Sequence, residues 1–143
     1  MINLHDPNST LLGTDLESRA QVLRYLSWGT CELMRPVYDM KMSLLKTPND
    51  KKAFHIAKQE IDEFVSQLEE RFEKHAYLVG DRLTVADLFV LSCFNRPFHL
   101  CFDSEWRAKH VSFMNWATTI MNSEYLTYYY KDFKFIDKQI ELH

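Results

Sequence analysis

The chain has 143 residues, 46% of them hydrophobic and 14% aromatic, with only three Gly and four Pro and a net charge of −3. That length makes one domain, or one domain with a short tail, and so few chain breakers exclude a β-sandwich and favour long helices. The mild acidity excludes a nucleic-acid footprint, and no apolar run approaches the ~18 residues of a membrane span.

Residues 1–13 carry Asp6-Pro7-Asn8-Ser9-Thr10 and read as a turn-rich leader with no periodicity. From Thr14 a helical pattern begins, with Leu16, Ala20, Leu23, Ser27, Thr30, Met34 and Val37 recurring at three or four. A second stripe of Val22, Leu26, Leu33 and Met40 widens the expected buried face. Pro36 lacks an amide hydrogen and its ring opposes the carbonyl of Glu32, so the pattern predicts a kink there. Thr47-Pro48-Asn49-Asp50 predicts a new start, with Thr47 as N-cap and Asp50 at N3. Phe54, Ala57, Ile61, Phe64, Leu68 and Phe72 then mark one stripe over five turns, opposite a solvated face of Lys and Glu.

Tyr77-Leu78-Val79-Gly80-Asp81 is a tight connection into Leu83-Thr84-Val85-Ala86-Asp87-Leu88. Thr84 reads as an N-cap whose hydroxyl accepts from the N3 amide, while the Asp87 carboxylate reaches back to the Thr84 amide. Leu83 and Leu88 have the spacing of a hydrophobic staple. The helix that follows is apolar almost all round, which predicts a central position. A carboxylate ionised and hydrogen-bonded there is expected to have a depressed pKa, and losing either cap residue is expected to cost about 1–2 kcal/mol. The central helix is expected to end near Arg96-Pro97. Asp103-Ser104-Glu105 predicts another helix interrupted at His110-Val111, and Ser123 a last short one before the aromatic segment of 128–136.

These motifs resemble a known family. A long kinked helix, a long amphipathic helix and the run Tyr77 to Asp87 resemble the C-terminal helical domain of glutathione transferases. Glu105-Trp106-Arg107-Ala108-Lys109-His110, Asn115-Trp116 and Tyr130-Lys131-Asp132-Phe133-Lys134-Phe135 are similar to the transferase-like domain of the translation elongation factor 1 gamma chain, of fungal type. The resemblance implies an all-α bundle over residues 14–130 with a C-terminal tail at 131–143. It also implies that the thioredoxin-like half, on which the family's glutathione site is mainly built, is not among these residues. Where the family usually carries proline after the histidine at 110, this chain has Val111.

No catalytic, cofactor or metal residue is assigned. Asp87 reads as a structural cap, not a general base. Cys31, with Thr30 and Glu32 beside it, reads as a plain thiol, and all three cysteines as reduced. Cys93, His99 and Cys101 fit no recurrent zinc spacing. Tyr25, Trp28, Tyr38 and Trp116 read as packing in preference to a substrate cleft. Lys51-Lys52 and Arg107-Lys109 are too sparse for a nucleic-acid surface.

Val22, Leu26, Leu33, Val37 and Met40 on the first helix, with Phe89, Val90 and Phe94 on the central one, are more apolar surface than one bundle is expected to cover. They are taken as an interface for a homodimer or a protein partner. The resemblance implies a non-catalytic, cytoplasmic scaffold acting in translation factor assembly, with elongation-factor subunits as partners and no cofactor. The alternatives are a glutathione transferase-like enzyme, or a truncated regulatory paralogue competing for the gamma chain's partners.

Overall fold

A computed structural model describes residues 9–143; most of the expected leader lies outside the described residues. The first helix, α1 (Leu16–Trp28), starts at Asp15, whose carboxylate accepts from the Ser18 amide at 2.8 Å while the Ser18 hydroxyl accepts from the Asp15 amide. It passes into a π turn at Gly29–Leu33 and continues as α2 (Met34–Leu44).

The kink expected at Pro36 is taken up one turn earlier by this π turn, in which the Met34 amide reaches back to the Gly29 carbonyl. Two local causes coincide there. Pro36 offers no N–H to the Glu32 carbonyl, and the Thr30 hydroxyl competes for the Leu26 carbonyl at 2.8 Å. Gly29 also lets α1 press on the central helix: a Cβ at this position would stand 2.7 Å from Phe89 Cε1.

Helix α3 (Lys51–Phe72) buries Phe54, Ala57, Ile61 and Leu68 of the expected stripe and, beside them, Val65, with Phe64 and Phe72 half-buried. Its cap is Asp50, not Thr47: Asp50 accepts from the Ala53 amide at 3.0 Å and pairs with Lys46 at 2.6 Å. The Lys46 contact holds the Asp50 carboxyl below its usual pKa. Helices α2 and α3 pack along one another.

Helix α4 (Val85–Cys93) is central, touched by α1, the π turn, α5 (Asn95–Leu100) and α7 (Val111–Met121). It stops earlier than expected, at Cys93. Pro97 then sits in the first turn of α5, where its missing N–H costs nothing. Between them, α6 (Ser104–Lys109) and α7 are broken at His110, whose backbone leaves helical geometry, so Val111 begins α7 at the position proline favours. The Glu69 carboxylate, arriving from α3, receives the Ser112 and Phe113 amides at 2.8 and 2.6 Å and caps this start. The last helix, α8 (Thr127–Tyr130), begins four residues after Ser123.

No strand occurs among the described residues. The segments on either side of the bundle are tied to it. The Leu11 carbonyl accepts from the Val85 amide at 2.9 Å. In the tail, Ile140 donates to Leu100, Asp137 accepts from the amide and hydroxyl of Ser104, and Arg107 donates to Ile136 at 2.6 Å. Phe133 and Phe135 pack on Phe98.

Candidate functional site

Asp87 is fully buried and accepts from three segments of the chain. Its Oδ1 receives the Leu78 amide and the Trp116 indole N–H, both at 2.9 Å. Its Oδ2 receives the Thr84 amide at 3.0 Å and the Thr84 hydroxyl at 3.2 Å. The capping box expected of Thr84 and Asp87 is present, but the carboxylate also ties the 77–84 connection and α7 to α4. Burial pushes the Asp87 carboxyl above its usual pKa, against the pull of its four donors, which reverses the depressed value expected. The expectation counted the hydrogen bonds and missed the depth.

The thiols divide by exposure. Burial pushes Cys93 up to about 11 and Cys101 up to about 12, so neither supplies a thiolate near neutrality. Cys31 is exposed. No three His, Cys, Asp or Glu side chains are grouped to hold a metal ion among the described residues.

A cleft of about 640 Å³ opens between α1, the π turn and α3. Tyr25 and Trp28 wall it together with Cys31 and Glu32, and Trp28 meets Phe64 edge-on at 5.4 Å. Tyr38 lies in a separate groove, and Trp116 is core, stacked on Phe72 at 4.6 Å. The four aromatics read from sequence as packing are thus divided between cleft, groove and core.

Sequence reasoning missed Arg24 and Arg71, which line the same cleft. Neither guanidinium has an acid within 4 Å among the described residues. Arg24 lies over the Tyr25 ring at 5.2 Å, and Arg71 Nε is shut off from solvent with no hydrogen-bond partner. Cys31 therefore shares its cleft with two cations, although Thr30 and Glu32 are its neighbours in sequence. The helical spacing of α1 places Arg24 one turn before Trp28, but the approach of Arg71 depends on how α3 crosses.

The interface expected on the first helix needs correction. Val22, Leu33, Val37 and Met40 are 0–6% exposed within this chain's own core, and Leu26 is half-buried. Val90 and Phe94 are buried too, and Phe89 is half-buried against Gly29. Of the other stripe, Leu16 is 84% exposed, Leu23 65% and Met34 41%, while its Val37 is core; Tyr38 beside it is 56% exposed. Both stripes have helical spacing, so periodicity alone could not rank them; α3 and α4 cover the one that includes Val22 and Leu33.

Lys109 pairs with Glu105, and Arg107 is occupied by the Phe102 and Ile136 carbonyls and the Phe135 ring. Tyr128 and Tyr129 are exposed, with Lys131 over the Tyr128 ring. No described helix is long and apolar enough to cross a membrane.

The family model for the glutathione S-transferase C-terminal domain matches residues 16–124. Elongation factor 1-gamma 1 of Saccharomyces cerevisiae is 35% identical over 133 residues, covering 91% of this chain and 32% of the relative. A glutathione S-transferase of Emericella nidulans is 30% identical over 118 residues, covering 82% of this chain and 44% of that one. Among solved structures, the transferase-like domain of elongation factor 1-gamma from Saccharomyces cerevisiae superposes with a TM-score of 0.85 at 34% identity. It covers 93% of this chain and 62% of that one. The chain thus spans about a third of the length of the elongation-factor relative.

Proposed function

This chain belongs to the glutathione S-transferase C-terminal domain family, and from that membership we propose that it is a non-catalytic interaction module of the elongation factor 1-gamma type. The observation that carries the reading is the likeness to the transferase-like domain of elongation factor 1-gamma along 93% of the chain. Its partners are translation elongation factor subunits, and its setting is the cytoplasm.

The chemistry of the chain supports the same reading. Two of its thiols are buried and held protonated, and its buried carboxylate is enclosed by structural donors. What it presents outward is an apolar stripe, Leu16, Leu23, Met34 and Tyr38, on its first two helices. That stripe is the surface we assign to a partner or to a second copy, replacing the residues expected from sequence. Thr84 and Asp87 remain structural in this reading.

The transferase relatives favour a second reading, a glutathione-conjugating enzyme. Conjugation of glutathione to a chlorinated aromatic electrophile separates the two. Turnover no higher than a heat-killed control supports the module. Turnover that survives Cys31→Ser reveals a site elsewhere, and turnover lost on Cys31→Ser places that thiol in the site where the glutathione thiolate attacks.

A further inference from the structure

A buried charged donor without a partner calls for an explanation, because leaving it unmade is costly. Arg71 Nε is such a donor, and Arg71 lines the cleft between α1, the π turn and α3. Arg24 stands in the same cleft, also without an acid within 4 Å among the described residues. The acid lining this cleft, Glu32, pairs with neither. Two cations and one acid leave the cleft with an excess of positive charge, and one donor of Arg71 without an acceptor.

The rest of the wall says what should accompany that carboxylate. Tyr25 and Trp28 stand edge to face at 6.3 Å and offer apolar ring surface next to the guanidiniums. Trp, Tyr and Arg are the residue types that dominate binding hot spots between proteins. The π turn, a distortion frequent at functional sites, supplies Cys31 and Glu32 to the cleft.

We propose that this cleft docks an acidic segment of a partner polypeptide, with Arg71 and Arg24 taking a carboxylate and Tyr25 and Trp28 taking the apolar side chain beside it. The proposal rests on the interaction-module reading and gives that module a second surface, apart from the apolar stripe. A planar guanidinium fits a carboxylate through paired N–H donors, so arginine suits the task better than lysine.

The test uses the full chain and a blocked pentapeptide alternating glutamate with phenylalanine and leucine, titrated while the Trp28 indole resonance is followed. Saturable binding is expected, weakened at least about tenfold by Arg71→Gln and severalfold by Arg24→Gln. The counterpart with glutamine in place of glutamate should not bind. Arg24 is exposed, so its variant keeps the test open if Arg71→Gln does not fold.

Equal binding of the glutamine peptide, no saturation at millimolar peptide, or full affinity in both arginine variants would overturn the proposal. Indole-3-acetate binding more tightly than the peptide would assign the cleft to a free aromatic acid and overturn the polypeptide occupant. Failure of the peptide while elongation-factor subunits still co-purify with the chain would remove this cleft and leave the module reading intact.

Discussion

Replacing Asp87 should cost far more than a helix cap. In Asp87→Ala the Leu78 amide, the Thr84 amide and the Trp116 indole N–H all lose their acceptor in a fully buried place. Each such orphan costs about 1–3 kcal/mol, and loss of the buried charge returns part of it, which leaves about 3–5 kcal/mol. Asp87→Asn keeps one oxygen for Leu78 and Trp116 and turns its amide toward the Thr84 hydroxyl, which can accept. One donor is lost, about 1–2 kcal/mol. Denaturant midpoints at constant m-value give both numbers.

The pH dependence tests the cause. Burial raises the Asp87 pKa in the folded state, so its contribution is fully present below the unfolded pKa and is lost as pH rises through the folded one. The deficit of Asp87→Asn should therefore grow on acidification through that window. A deficit that shrinks instead would show that the four donors outweigh burial. An alanine variant no weaker than the asparagine one would refute the count of orphaned donors.

Gly29→Ala should destabilise by about 1–3 kcal/mol through overpacking, because the new methyl meets Phe89 Cε1 at 2.7 Å; Phe89→Leu in the same chain should recover part of the loss in a denaturant titration. Labelling with an aromatic disulfide reagent should count one fast thiol, Cys31, in the folded chain and three after denaturation, since Cys93 and Cys101 are buried. Shortening the outer stripe by Leu16→Ala and Leu23→Ala should leave stability nearly unchanged and reduce self-association or partner capture, read by light scattering across a dilution series.

The local chemistry of this fold is written in its sequence to different depths. The start of α4 was legible because Thr84 and Asp87 form their box within one turn, where spacing alone sets geometry. The stripe of α3 was legible for the same reason. The second and third duties of Asp87, to Leu78 and Trp116, span nine and 29 residues and follow from packing, which no local pattern carries. The sign of its pKa was lost with them. On α1 both stripes are apolar, and which one is buried was decided by α3 and α4. The cleft was not read from the sequence, which took Tyr25 and Trp28 as packing and Cys31 as a plain thiol. Nor were its cations paired in the sequence, because Arg71 belongs to α3 and meets α1 only through packing.

The interaction-module reading meets its most direct test in co-purification. The chain, tagged and produced in its own cells, is recovered under mild salt, and the proteins retained with it are quantified against an untagged control. Translation elongation factor subunits in near-equal molar amount, retained equally by the Cys31→Ser variant, are the expected result. No enrichment of those subunits, together with glutathione-dependent turnover in the purified fraction, would contradict it.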